Sequence, residues 1–214
     1  MLISKIMTRN PVSAKPELSL TEARALMDRA NIGHLPVLSD KGELVGITSR
    51  QDLLKASPSA ATTLDMYEIN YLLSKLTLEK VMTKNVIAVQ VDEVVENAAR
   101  IMADRYIGCL PVMSGTILVG IVTDTDIFRF FVDAFGTRHS GVRITLNAVE
   151  KPGQIAAFAD AVAKNGGNIV ALVTSEGEDA GHRLITLKIS GIDLATVQAV
   201  AKASDGLEIE DIRG

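Results

Sequence analysis

The sequence repeats itself: Ile6-Met7-Thr8-Arg9-Asn10 returns as Val81-Met82-Thr83-Lys84-Asn85, 75 positions further on. At the same offset Ile32-Gly33-His34-Leu35-Pro36-Val37 returns as Ile107-Gly108-Cys109-Leu110-Pro111-Val112. After a turn one residue shorter (Ser39–Gly42 against Ser114–Thr116), Leu44-Val45-Gly46-Ile47 matches Leu118-Val119-Gly120-Ile121. Three motifs recurring in one order constrain the fold more than any single element does. Each copy is one supersecondary unit that leaves a sheet face uncovered, so the two copies should pack together.

Local pattern gives the unit its content. A short strand around Val12 or Ile87 leads into a helix whose apolar residues fall three and four apart: Leu20, Ala23, Leu26, Met27, and again Val95, Ala98, Ile101, Met102. Two apolar strands follow, Leu35–Leu38 and Leu44–Thr48 in the first copy, joined by a turn containing Asp-Lys-Gly. A last helix starts near Gln51 or Thr125, giving the order β-α-β-β-α. Between the copies, Ser57–Thr63 reads as a loop, and Leu64–Leu73 has helical spacing with Thr63 as its N-cap. Its Tyr-Leu stripe suits a core or dimer contact better than a ligand site.

The last third is a different unit. Gly136–Gly141 is a short linker with glycine at both ends. Val142–Val149 alternates as a strand, and Lys151-Pro152-Gly153 turns into a helix over Ile155–Ala163. Strand Ile169–Thr174, a polar hairpin over Glu176–Gly181, strand Leu184–Ile189, helix Leu194–Ala203 and strand Leu207–Ile212 complete a ferredoxin-like β-α-β-β-α-β order. The expected divisions are therefore residues 1–56, a helical linker over 57–76, residues 77–135, and residues 141–214.

Composition narrows the function. A net charge of −4 argues against a broad nucleic-acid-binding face. No apolar run approaches the roughly 18 residues of a membrane span. The start of the chain has no signal-peptide pattern, so a cytoplasmic location with no membrane partner is expected. The single cysteine, Cys109, allows no intrachain disulfide or zinc cluster and abuts an apolar strand, as a packed thiol does. His34, His139 and His182 have no metal-ligand spacing, and no phosphate-loop, nucleophile-elbow or dinucleotide fingerprint occurs. No metal, catalytic residue or required cofactor is expected.

One stretch tempts a catalytic reading: Gly120–Ile127, with Asp124 and Asp126 one residue apart. Its twin, Gly46–Leu53, keeps Asp52 for Asp126 but places Arg50 where Asp124 stands. The repeated feature is thus Ser49-x-x-Asp52 and Thr123-x-x-Asp126. As structure this is a capping box worth on the order of 1 kcal/mol. As chemistry, one carboxylate can accept both hydroxyls of a ribose cis-diol, with the hydroxyl beside it and a helix N-terminus near for phosphate. The two roles are compatible.

The paired Leu-Pro-Val strand and the Gly-x-x-[Ser/Thr]-x-x-Asp ending, both present twice, resemble a tandem CBS-domain (Bateman) module over residues 1 to about 135. The Pro-Gly before the first helix and the Gly-Asn-Ile after it make residues 141–214 resemble an ACT domain. The combination is similar to the acetoin-utilisation B-type (AcuB-like) proteins. The resemblance implies an α+β architecture, two pseudo-symmetric CBS units followed by the ferredoxin-like ACT domain. It further implies aspartates that hold ribose, and adenine walls from Val12, Ile87, Pro36 and Pro111. A phosphate contact falls at His34 with Arg50 as helper; at the second copy Cys109 and Asp124 replace that pair. The first site is therefore expected to prefer phosphate-rich adenylates and the second a neutral or cationic adenosyl ligand, or none. In the ACT domain the backbone at Pro152-Gly153-Gln154 sits at a helix N-terminus that could receive a carboxylate, and Asn168 matches an amino-acid contact. Ala148 does not match, Glu150 would oppose a carboxylate, and dimerisation is the simpler role.

The function implied is that of a regulatory, non-catalytic sensor. Its effector would be an adenosyl ligand (AMP, ADP, ATP, NAD or S-adenosylmethionine), with assembly as a homodimer or higher oligomer and control of an enzyme the sequence does not identify. The alternatives are an amino-acid-responsive ACT regulator whose CBS pair is a dimerisation scaffold, and an enzyme of acetoin catabolism.

Overall fold

Where the hydrogen bonds of the repeated Met-Thr segments go decides how the two copies combine. The structure, a computed structural model, describes residues 1–56, 65, 71 and 75–214. The expected helix over 64–73 and its cap Thr63 therefore lie almost wholly outside the described residues. In the first copy, α1 (Leu20–Ala30) starts at a capping box in which Ser19 Oγ accepts from the Glu22 amide and the Glu22 side chain accepts from the Ser19 amide. It buries Leu20, Ala23 and Met27 in one cluster with Leu35 and Val37. Those two belong to β2 (His34–Leu38), which pairs antiparallel with β3 (Leu44–Ser49), and α2 (Arg50–Lys55) follows at once. The second copy runs α3 (Leu78–Val81), β4 (Val89–Gln90), α4 (Val95–Arg105), β5 (Cys109–Ser114), β6 (Ile117–Thr123) and α5 (Asp124–Ala134).

The expected strands around Val12 and Ile87 are not formed. Pairing occurs on either side of them: β1 (Thr8–Arg9) and Ala14 in the first copy, Thr83 and β4 in the second. Val12 and Ile87 stand unpaired between, each 39% exposed, and Pro11 has no N–H to give to a ladder. The break lets each copy serve both sheets. β1 crosses to the second copy and pairs with β6, Thr8 opposite Ile121, while Thr83 bridges Ile47 of the first. Ala14 and β4 return to their own hairpins beside Val37 and Val112. Met82 and Met7 explain why the Gly-Ile motif repeats with the Met-Thr motif. Their thioethers fill the space a Cβ would take on Gly46 and on Gly120.

Among the positions buried in both hairpins, one differs. Thr48 faces Leu35 across the first hairpin as Val122 faces Leu110 across the second. Thr48 is fully buried, and its Oγ1 has no hydrogen-bond partner among the described residues. Leaving a buried hydroxyl unpaired costs about 1–3 kcal/mol, and valine has nearly the same shape. Thr48→Val should therefore raise the unfolding free energy by about 1 kcal/mol, read as a higher urea midpoint at unchanged slope. A lower midpoint would mean that the hydroxyl is satisfied.

The chain divides into two compact units, Met1–Ile127 and Phe128–Gly214, with the boundary inside α5. In the second unit β7 (Val142–Val149), α6 (Gln154–Lys164), β8 (Asn168–Glu176), β9 (His182–Ser190), α7 (Leu194–Ala203) and β10 (Leu207–Arg213) follow the expected order. The sheet order is β10-β7-β9-β8, all antiparallel. Alternate residues Ile144, Leu146 and Ala148 of β7 join Phe158, Val162, Val197 and Ala201 of the helices in one core. The fold is α+β, two CBS-type units and then a ferredoxin-like domain. Among the described residues no helix is long and apolar enough to cross a membrane.

Candidate ligand-binding clefts

Both repeated acid motifs form the capping boxes their spacing implies. Asp52 Oδ2 accepts from the Ser49 amide at 2.8 Å and from Ser49 Oγ at 2.7 Å, and the Asp52 amide donates back to Ser49 Oγ at 3.2 Å. Asp126 Oδ2 does the same with Thr123, at 2.9 Å to the amide and 2.8 Å to Oγ1. In each box one carboxylate oxygen is spent on the helix start. Asp52 Oδ1 accepts no hydrogen bond among the described residues.

Asp52 and Ser49 line a cleft of about 380 Å³ between the two copies, within the size range of small-molecule sites. The first copy supplies His34, Ile47 and Gln51 besides; the second supplies Thr83, Asn85, Val86, Ile87, Tyr106, Ile107, Gly108, Cys109 and Pro111. The strand exchange builds this wall, because the Thr83–Ile47 bridge carries the segment 83–87 across to the first copy. Ile87 and Pro111, expected as adenine walls, both face the cleft. Val12, Pro36, Thr123 and Asp126 do not line it; they are the counterparts, one repeat away, of Ile87, Pro111, Ser49 and Asp52.

Arg50 is not at this cleft. Its Nε donates to Ile32 O at 2.9 Å and its Nη2 to Met27 O at 3.1 Å, while Nη1 pairs with Asp28. The guanidinium is thus held at the C-terminal end of α1, where unpaired carbonyls and the negative end of the helix dipole attract it. His34 does reach the cleft, but burial pushes its imidazole below the usual histidine range, with Asp124 and Asp52 pulling partly the other way. Of the two residues expected to contact phosphate at the first site, His34 lines this cleft and Arg50 does not. Cys109 is buried, and burial together with Asp124 and Asp126 pushes its thiol up to about 12. A thiol so protonated is no nucleophile at neutral pH.

Tyr106, Thr83, Asn85 and Gln51 were missed in the sequence. Thr83 and Asn85 carried a signal, since both belong to the repeated Met-Thr-x-Asn motif. Tyr106 caps α4 in the left-handed conformation, φ 54°, as Asn31 caps α1 at φ 50°.

The second unit has its own cleft of about 470 Å³ where β7 runs into α6. Pro152, Gly153 and Gln154 line it together with Glu150, Lys151 and Arg183. Glu150 is tied to Arg183 Nε at 2.5 Å, which offsets the charge expected to oppose a carboxylate. Gln154 spends its amide on Asp205 O at 2.8 Å. Asn168 is not at this cleft. It opens β8 beyond the far end of α6, whose 11 residues span roughly 16 Å. Among the described residues no group of three or more His, Cys, Asp or Glu side chains could hold a metal ion.

Comparison with known proteins agrees with this architecture. The CBS-domain family model matches residues 3–59 and 78–133, and the TTHA0829-like ACT-domain model matches residues 140–213. An L-aspartate semialdehyde sulfurtransferase from Methanocaldococcus jannaschii is 34% identical over 131 residues, 61% of this chain and 23% of that protein. The chain spans less than a third of the length of the curated relatives it matches. Among solved structures, a CBS-domain pair in complex with 5′-methylthioadenosine and S-adenosyl-L-methionine is 33% identical. The match has a TM-score of 0.52 and covers 65% of this chain and 98% of that one. A Vibrio cholerae protein assigned to acetoin utilization (AcuB) is 30% identical with a TM-score of 0.53, over 64% of this chain and 95% of that one. With both copies of its repeat matched, over more than half its length, the chain belongs to the CBS-domain family, as a tandem CBS pair of AcuB-like type followed by a TTHA0829-like ACT domain.

Proposed function

We propose that the protein is a non-catalytic regulatory sensor that binds an adenosyl ligand between its CBS copies and assembles through its ACT domain as a homodimer or higher oligomer. The observation that carries this reading is Asp52, which lines a cleft with aliphatic walls: one carboxylate oxygen starts α2, and the other has no hydrogen bond among the described residues. A ribose needs such an acceptor for its two hydroxyls, and the base needs Ile87 and Pro111. The bound adenosyl compounds of the similar CBS pair support it. The raised thiol of Cys109 makes it no nucleophile at neutral pH, in keeping with a role without turnover. The single free cysteine suits a reducing compartment such as the cytoplasm.

A second reading, an amino-acid-responsive ACT regulator, is favoured by the cleft at Pro152–Gln154, where Glu150 is already neutralised by Arg183. Thermal unfolding with S-adenosylmethionine, 5′-methylthioadenosine, AMP, ATP, NAD and the amino acids in turn separates the two. A ligand at a hundred times its Kd adds about 2.7 kcal/mol, a rise on the order of 10 °C for a unit of this size. Adenosyl compounds should give that rise. Stabilisation by amino acids alone would replace the first reading with the second.

A further inference from the structure

The cleft holding Asp52 is short of positive charge. No lysine or arginine is among its described lining residues, and the residues outside the described set contain none. Arg50 is committed to α1. Negative charge is present instead. Asp52 stands in the wall, and Asp124 Oδ2 lies against Gly108, 3.0 Å from where a Cβ on that lining residue would be. His34, the only basic side chain among the described lining residues, is pushed by burial below the usual histidine range, with Asp124 and Asp52 pulling partly the other way. A phosphate brought among these carboxylates is repelled, and no lysine or arginine among the described lining residues offsets the repulsion.

Tyr106 adds an independent sign. It lines the cleft yet is 96% exposed, so no core packing holds it. It also occupies a left-handed position, φ 54°, where its repeat counterpart is asparagine. Asparagine tolerates that conformation and a bulky side chain does not. An aromatic ring kept at some backbone strain on the rim of a cleft offers a face for a cation or an apolar group.

We propose that this cleft selects adenosyl ligands whose 5′ substituent is an uncharged thioether or a cationic sulfonium over those carrying a 5′-phosphate, with Asp124 as the excluding charge and Tyr106 as the aromatic rim. The proposal rests on the adenosyl reading above. The sequence gave phosphate to a site marked by His34 and a neutral or cationic ligand to one marked by Cys109 and Asp124; here His34 and Cys109 line one cleft, with Asp124 against its Gly108.

Calorimetric titration in an Asp126→Asn background, which keeps the second capping box while disabling its carboxylate, isolates the cleft. S-adenosylmethionine and 5′-methylthioadenosine should each bind about tenfold or more tighter than AMP. Adding Asp124→Asn should strengthen AMP about tenfold and leave 5′-methylthioadenosine within about twofold. Tyr106→Asn, which installs the residue of the first copy, should weaken S-adenosylmethionine about fivefold with melting unchanged or raised. AMP binding as tightly as 5′-methylthioadenosine, and lost on Asp52→Asn, would overturn the charge selection and leave the adenosyl reading standing. If none of the three compounds binds, even to the unmodified protein, the adenosyl reading falls and this proposal with it.

Discussion

Asp52→Asn should bind adenosyl ligands about 10–100-fold more weakly while melting within about a degree of the unmodified protein; Asp52→Ala should lose both affinity and stability. The difference follows from the two oxygens. Oδ2 accepts from the Ser49 amide and hydroxyl and so fixes the start of α2. An asparagine carbonyl can take over both bonds, since only an acceptor is required there. Oδ1 has no hydrogen bond among the described residues, and the asparagine amino group that replaces it donates where a ribose needs an acceptor. Hydrogen bonds to a charged group are worth about 1.5–3 kcal/mol each, and about 1.4 kcal/mol is a factor of ten in Kd. Alanine removes the cap as well, costing about 1 kcal/mol more in stability. Calorimetric titration with 5′-methylthioadenosine and thermal melting of both variants give the two readouts. Unchanged affinity in Asp52→Asn would show that no carboxylate holds the ribose.

What the sequence made legible was whatever local pattern determines. The hairpins and the helices flanking them were readable because alternation and three-four spacing are imposed by one buried face each; the short α3 was not. The second unit was readable to within one or two residues at each element for the same reason. The exchange of β1 into the sheet of the second copy was not. Thr8 and Ile121 lie far apart in the chain, and nothing in the residues around either names the other as its partner. The repeat did mark Met7, Gly46, Met82 and Gly120 as recurring together; only the packing gives the reason, each thioether filling the space over the opposite copy's glycine. Site residues divide the same way. Asp52 was legible because its cap and its chemistry share one spacing. The direction of Arg50 was not, because a long side chain beside a helix end goes to whichever carbonyls are open, here those of Met27 and Ile32.

The largest structural effect is expected at Gly141, where Ala should destabilise the second unit by about 3 kcal/mol or more. Two causes add. At φ 133° the residue lies outside even the left-handed helical well that L-residues occasionally enter. A Cβ there would also run into the carbonyl oxygen of Ile189, with Ile189 C at 3.0 Å and Ser190 Cα at 3.2 Å. Those atoms are backbone of β9, so relief requires parting β7 from β9 just where Val142 pairs with Ile189. Lys188, which donates to Gly141 O at 2.7 Å, would be displaced with it. Gly115, in the β5–β6 hairpin, supplies the control. Its φ of 62° is left-handed too, but nothing lies within 4 Å of the Cβ position, so Gly115→Ala should cost only the conformational preference, about 1 kcal/mol. Urea unfolding of both variants, with amide exchange at Val142 and Ile189, tests the comparison. Gly141→Ala should raise exchange along the β7–β9 seam and leave the β5–β6 hairpin protected. If the two variants cost the same to within about 0.5 kcal/mol, the close approach of β9 contributes nothing, and glycine stands at 141 only for its torsion angle.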